Sequence, residues 1–567
     1  MTMTRKNALY ATLIINLLCC IDTFSQSIHI LYTTDTHGSL FPYDFIKGKD
    51  ISYSLANVAT YVEGVRDTVD NVILLDAGDI LQGTPSVYYY NYISTDSHII
   101  PAMYNFIKYD AVCIGNHDIE TGHAVYDKIV EQMHIPVLGC NAVNKANGEP
   151  YFTPYTILER GGKRIAVIGL VTPYIPNWLP EFYWSGIEFK DMIESAQYWM
   201  EYIKKNERPD AVIGLFHSGY DYSYDHQAAD DKCNENASLL VAERVEGFDV
   251  VLIGHDHKIY NKNVKSPSGL EVAICDAGTG SRYIGDIIMT FKDNDSRPAI
   301  SAKVVSLSET KPSEQFSKQF EKQFNAVKSY SNKSIGYLAE EIHALDCLFG
   351  SCKFSNIVHA SMLKHSGADI SFAAPLLIDV NLNKDSLTIG NMFSIYKYEN
   401  MISVISLSGK EVKDYLEYSY DSWVSNPDET GHILKLDKKN RLASRYYNFD
   451  SAAGIKYTVN PFKPKGKRIE IISMQDGTPF DMSKSYSVAM TSYRYNGGGG
   501  HLLYGIGLDK ATIQSRNIRN ILSDLRGLVV KDFSEMGGNI TIPDFDNWSF
   551  VPESKVEFFI NNDKELF

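Results

Sequence analysis

The chain has 567 residues, 44% of them apolar and 22% charged, and a formal net charge of −15. That length exceeds what one hydrophobic core organises and predicts two domains plus short additions. The acidic balance excludes a groove for polymeric nucleic acid, whose affinity comes from basic side chains neutralising phosphates. It leaves room for a small phosphorylated ligand, because metal ions can supply positive charge locally.

The first segment has the pattern of an export signal. Arg5 and Lys6 precede the apolar run Ala8 to Cys20, and Thr23-Phe24-Ser25 follows as a cleavage-like triplet. The run is short for a membrane span. A lipid-modified Cys19 or Cys20 is the rival reading, disfavoured by the bulky Leu17 and Leu18 before them. No later stretch is long and apolar enough to cross a bilayer, so the expectation is a cleaved leader (1–25) and a periplasmic or secreted protein.

From Ile28 one pattern recurs: a β-branched apolar run ends in metal-ligand residue types. Ile28 to Thr34 ends in Asp35-Thr36-His37-Gly38, and Val72 to Leu75 ends in Asp76-Ala77-Gly78-Asp79. Ala111 to Ile114 ends in Gly115-Asn116-His117-Asp118-Ile119-Glu120. Ala211 to Phe216 ends in His217-Ser218-Gly219, and Val250 to Ile253 in Gly254-His255-Asp256-His257. Continuous apolar runs suit strands buried on both faces, with helices such as Ala56 to Val65 and Met192 to Lys204 between them. The expectation is a layered α/β domain with its site at the carboxyl ends of the strands.

One Asp-x-His arises by chance, and a histidine at a strand end is more often structural than a ligand. Five such ends in chain order are not five independent polar turns. They fit a dinuclear centre, in which one carboxylate bridges two divalent ions and neutral imidazoles leave the ions electrophilic. Asp79 is the natural bridge. Asp35, His37 and His257 would complete one ion, and Asn116, His217 and His255 the other. Zinc, manganese, iron and cobalt all accept this ligand set. His117 is then left for phosphoryl oxygens or the leaving group, its ring oriented by Asp118 or Glu120. His29, His98, His123, His134 and His226 follow no such pattern and are expected at the surface.

These motifs resemble the calcineurin-like metallophosphoesterases, in the branch of exported 5′-nucleotidases, over almost the whole mature chain. The resemblance implies the ligand roles just given, a carboxylate at Glu120 paired with His117, and a β-sandwich flanked by helices over 26–309. It also implies a linker over 310–340 and a C-terminal α/β substrate domain over 341–567, with large rotations between the domains. In the linker, Phe316, Phe320, Phe324 and Val327 form one apolar stripe at helical spacing. Cys347 and Cys352 are close enough in sequence to bridge, while Cys113 and Cys275 sit in apolar runs and are expected as buried thiols.

The second domain carries no further metal-type cluster and should recognise substrate. Arg445 to Asp450 sets aromatics beside polar groups, and Ser492 to His501 places two tyrosines before four glycines. Flat rings stack on bases, and glycine lets backbone approach a ligand. The rival readings are a core aromatic cluster and a flexible turn. The resemblance puts Phe449 and Tyr493 at the base-clamping positions and Asn400, Gly498 and Gly499 beside the substrate. Two features depart from the 5′-nucleotidase pattern: Gly367-Ala368-Asp369 is followed by Ser371-Phe372-Ala373-Ala374-Pro375 with no arginine, and Gly499 stands where that pattern has an aspartate. Both look like the bifunctional 2′,3′-cyclic-nucleotide 2′-phosphodiesterases/3′-nucleotidases, as do Tyr396, Tyr398 and Asn400, Tyr447 to Asp450, and Glu235-Asn236-Ala237. The expected activity is that of this branch. The alternatives are a 5′-nucleotidase or nucleotide-sugar hydrolase, a thiosulfate-processing hydrolase, or a nucleoside-binding protein with an inactive metal site.

Overall fold

The computed structural model describes residues 26–224, 227–292, 297–384 and 386–567. The leader, with Cys19 and Cys20, and His226 lie outside the described residues.

Two six-stranded sheets build the first half. In chain order the strands are β1 (Gln26–Thr33), β2 (Val72–Asp76), β3 (Ala111–Cys113), β4 (Val137–Leu138), β5 (Tyr155–Arg160), β6 (Lys163–Val171), β7 (Ala211–His217), β8 (Val250–Ile253), β9 (Ile259–Lys265), β10 (Glu271–Ala277), β11 (Tyr283–Phe291) and β12 (Ala299–Ser306). One sheet runs β12-β11-β1-β2-β3-β4 and the other β9-β10-β8-β7-β6-β5. Strands β1 to β4 are mutually parallel, as are β6, β7, β8 and β10.

The alternation of side chains along each strand explains the layers. Ile30, Tyr32, Ile73 and Leu75 face Val167, Ile213, Leu215 and Leu252 in the core between the sheets. The intervening Leu31, Leu74 and Val112 pack outward with the helix Leu55–Arg66. Val212, Phe216 and Val251 pack outward with Met192, Ala196 and Met200 of the helix Met192–Asn206. Each fully buried aliphatic contributes about 1.5–3 kcal/mol, which is why these runs carry almost no polar residue. The result is a β-sandwich flanked by helices, with the parallel strands delivering their carboxyl ends to one edge.

The linker stripe forms two helices, Glu314–Gln319 and Glu321–Ser331, broken at Phe320 (φ −107°, ψ 17°). Phe316, Phe320 and Val327 are buried in the first core, and Phe324 lies 5.5 Å from the rings of Phe41, Tyr43 and Phe45.

The second half is organised by a five-stranded sheet. Its strands β13 (Ile370–Ala373), β14 (Ile402–Ser408), β15 (Ser451–Ala453), β16 (Ser485–Thr491) and β17 (Asn517–Ile521) run in the order β15-β13-β16-β14-β17. The helix Gly409–Trp423, started by a Ser408–Glu411 capping box, buries Tyr415, Tyr420 and Trp423 against it, and Trp548 joins that core. Cys347 and Cys352 are disulfide-bonded, with Cα atoms 5.3 Å apart; Cys113, Cys140 and Cys275 are buried thiols. His98, expected at the surface, is buried, and its ring caps the helix Ile99–Ile107 by accepting from Ile100 N. Among the described residues no helix is long and apolar enough to cross a membrane.

Candidate active site

Each loop leaving a strand end turns sharply. Asp35, His37, Asp79, His255 and His257 have φ of 47°, 45°, 58°, 85° and 57°. Left-handed φ is uncommon for residues with a side chain and concentrates at functional sites. Glycines make room beside them. A Cβ at Gly115 would lie 2.2 Å from Asp79 Oδ1, and one at Gly254 2.5 Å from Asp35 Oδ2.

The turns gather two groups of ligand-type atoms, each group within 4.8 Å: Asp35, His37, Asp79 and His257, and Asp79, His217 and His255. Asp79 is common to both. Asn116 Oδ1 joins the second group, 3.1 Å from His217 Nε2 and 2.9 Å from His255 Nδ1. The seven residues chosen from sequence as ligands are therefore brought to one place.

The hydrogen bonds decide which ring atoms face inward. His37 Nδ1 can only donate to the Gln82 carbonyl (3.2 Å), so its Nε2 lone pair faces His257 Nε2 at 2.9 Å. His217 Nδ1 donates to the Ala77 carbonyl (2.8 Å), which turns its Nε2 toward Asp79 Oδ2 at 3.1 Å. Asp79 Oδ2 is buried without a hydrogen-bond partner. A histidine nitrogen whose ring donates elsewhere and which faces a buried carboxylate oxygen with no hydrogen-bond partner is what a bound cation would satisfy, and the cluster fits a dinuclear divalent metal site. Burial, then the neighbouring His257, lowers the His37 pKa to about 3, the neutral state a ligand needs. Burial also opposes charge on His217, yet Asp79 outweighs it and pushes the pKa up to about 10.

His117 stands beside this cluster on the short helix Asn116–Ile119, its backbone N–H donating to Asp79 Oδ1 at 2.8 Å. His117 Nδ1 bonds Glu120 Oε2 at 2.5 Å, so Nε2 is left for the cleft. Burial works against its charge, but Asp79 and Glu120 raise the pKa to about 9. Residues three apart share a helix face, which is how Glu120 meets the ring. Asp118 does not. Its buried carboxylate accepts the backbone N–H groups of Asp79, Ile80, Leu81 and Gly115 at 2.8–3.0 Å and so pins the bridge loop to the His117 turn. Of the two carboxylates offered to orient the His117 ring as part of the catalytic group, Glu120 meets it, and the role of Asp118 is corrected to an anchoring one.

The cluster opens into a cleft of about 520 Å³ between the two halves. Asn116, His117 and His255 line it from one side, and Asn400, Tyr493, Gly498 and Gly499 from the other. Phe449 does not reach it. Its ring is 3% exposed and stacks on Trp423 (centroids 4.9 Å apart, planes 17°) in the domain core. The turn Tyr446–Asn448 instead presents Tyr447 to the cleft. Sequence reasoning passed over Trp178, whose ring lies 5.5 Å from that of His255, and named Tyr398, 6.3 Å from and nearly parallel to His117, only for its motif. Glu235 was noted only for its motif. Its Oε1 lies 3.2 Å from His255 Nε2, which leaves His255 Nδ1 as the inward atom.

Residues 28–259 match the family model for calcineurin-like phosphoesterases, and residues 334–504 match that for the 5′-nucleotidase C-terminal domain. The chain belongs to the calcineurin-like phosphoesterases that carry a 5′-nucleotidase C-terminal domain, and its curated relatives are named as nucleotide phosphoesterases and nucleotidases. It is 26% identical to the 2′,3′-cyclic-nucleotide 2′-phosphodiesterase/3′-nucleotidase of Haemophilus influenzae, over 93% of this chain and 87% of that protein. It is 25% identical to the trifunctional nucleotide phosphoesterase protein YfkN of Bacillus subtilis over 93% of this chain, and spans 39% of that longer protein. A Staphylococcus aureus structure assigned as a 5′-nucleotidase shares the fold with a TM-score of 0.77 at 20% identity, covering 93% of this chain and 100% of the other.

Proposed function

We propose that this protein is an exported two-metal phosphohydrolase that opens 2′,3′-cyclic nucleotides to 3′-nucleotides and then releases phosphate and nucleoside. The observation that carries the reading is one continuous cleft, with the Asp79-centred cluster and His117 at one end and Tyr447, Tyr493, Gly498 and Gly499 at the other. Two divalent ions held by Asp35, His37, Asp79 and His257, and by Asp79, Asn116, His217 and His255, would neutralise phosphoryl oxygens and acidify the attacking water. Glu120 Oε2 accepts the His117 Nδ1 proton and leaves Nε2 to protonate the departing ribose oxygen. The ring of Tyr493 and the bare peptide of the glycine turn form a flat wall for a base.

The choice of the 2′,3′ edge rests on Ala373-Ala374-Pro375 and Gly499, together with the likeness to the Haemophilus enzyme. The Cys347–Cys352 disulfide supports export, since such bonds persist in oxidising compartments. A 5′-nucleotidase is the second reading, favoured by the fold likeness to the Staphylococcus protein. Phosphate release from 2′,3′-cyclic AMP, 3′-AMP and 5′-AMP, side by side with zinc or manganese, separates them. Turnover of the first two with 5′-AMP poor is the expected result. Preference for 5′-AMP would install the second reading.

A further inference from the structure

Arg494 lies between the two tyrosines that precede the glycine run. Its guanidinium is buried, and the fork is fully used. Nε and Nη2 bond the two carboxylate oxygens of Asp450 at 2.9 and 2.8 Å. Nη2 also donates to the Tyr447 carbonyl at 3.1 Å, and Nη1 to Asn448 Oδ1 at 3.2 Å and the Gly498 carbonyl at 2.5 Å. The Tyr415 hydroxyl completes the Asp450 carboxylate at 2.5 Å. The side chains of Arg494 and Asp450 are 5% and 3% exposed.

These bonds join two segments that no strand ladder joins. Tyr446–Asn448 is a single turn that carries Tyr447, and Ser492–Tyr495 is another that carries Tyr493; both tyrosines line the cleft. The same guanidinium keeps the adjoining wall bare. A Cβ at Gly499 (φ 71°) would lie 2.1 Å from Arg494 Nη1 and 2.5 Å from Asn448 Oδ1, and one at Gly498 2.4 Å from the Tyr493 ring. A planar base between two faces needs about 7 Å between them, twice an ordinary contact distance. Short turns on their own do not hold such a spacing. A bidentate carboxylate–guanidinium pair does, because its geometry is directional and planar.

We propose that Arg494, locked by Asp450, is the positioning residue that sets the width of the nucleoside slot and keeps its glycine wall free of side chains. This rests on the nucleotide reading above and adds the element that gives the slot its selectivity for a flat base. Arg494 touches no reacting atom in this account; it acts through Tyr447, Tyr493 and Gly498.

The test uses adenosine as an inhibitor of glycerol 2-phosphate hydrolysis by the metal-loaded protein. Adenosine carries no phosphate and reads the slot alone, while the aliphatic ester reads the metal centre alone. Arg494→Lys keeps a charge opposite Asp450 but loses the fork, and Asp450→Asn keeps the shape of the carboxylate but loses its charge and one of the two acceptors of the fork. In both, the adenosine inhibition constant should rise about tenfold or more while glycerol 2-phosphate turnover changes by less than about threefold. An unchanged inhibition constant in both folded variants overturns the proposal. So does a parallel fall of both readings, which would make the pair a general support of the domain. Should Arg494→Lys fail to fold, Asp450→Asn decides on the same two readings. If adenosine does not inhibit the unaltered protein, the nucleotide reading fails first and takes this proposal with it.

Discussion

The two halves of the molecule build their functional surfaces by different physics. In the first, strands deliver ligands. Five of the seven ligand-type residues sit in left-handed turns within a few positions of a buried strand end, so the backbone itself aims them. In the second, the cleft wall is made of short turns far apart in sequence, held together by the buried Arg494–Asp450 pair and by bonds to peptide carbonyls. A site written into strand ends tolerates change around it but not within it. A site held by a few side-chain bonds loses its shape when one bond is lost, and its effect should fall on binding rather than on chemistry.

The largest test of this contrast is Asp79→Ala, which removes the carboxylate shared by both groups. Metal analysis should find neither ion retained, and phosphate release should fall to background for every ester; retention of both ions would end the bridging role. Next comes His117→Ala, expected to keep both metals and lose about 10²–10⁴ in kcat, the usual worth of a positioned acid or base. An unaltered kcat would remove His117 from the reaction.

Glu235→Ala sharpens the picture inside the first half. If Glu235 fixes His255 with Nδ1 inward, one ion should bind about 10–100-fold more weakly and the other as before, as seen by titrating the apoprotein calorimetrically. Equal weakening of both ions would argue for general loosening instead.

In the second half, Tyr493→Ala should cost about 1–3 kcal/mol, seen as a higher KM for 3′-AMP with little change in kcat. An equal loss on glycerol 2-phosphate would show that the ring does not stack on a base.

The smallest effect concerns pH. Burial lowers the pKa of His359 to about 4 and, with help from Arg494, that of His501 to about 3, against about 6.5 in an unfolded chain. Both are held neutral, so the unfolded state binds more protons between these values. Their contribution to stability is whole above about pH 6.5 and drains away as pH falls toward 4. His359→Gln can still bond Ser371 and Ser451, the partners of the histidine at 2.8 and 3.1 Å, and should flatten the acid limb of Tm against pH. An identical limb in the variant would assign it to other groups.

The sequence by itself determined the candidate ligands and the layered fold around them, because both are local. An apolar run buried on two faces names its own strand, and a ligand one to four residues past that strand cannot be elsewhere. The residue pattern left Asp118 and Glu120 open as the partner of His117 and only the family resemblance favoured Glu120; neither showed that Asp118, on the other face of the same turn, binds the Asp79 loop. Only the tertiary structure decided that Phe449 turns into the core against Trp423 while Tyr447 meets the cleft, since one irregular turn has no periodicity to read. Only it could bring Trp178 to the site, and show that Glu235 and Tyr398, named in sequence for their motifs alone, stand beside His255 and His117. The reason is the range of the forces involved. Strand burial is fixed by neighbours in sequence, whereas the place of a loop side chain is fixed by hydrogen bonds and packing partners that folding alone brings near.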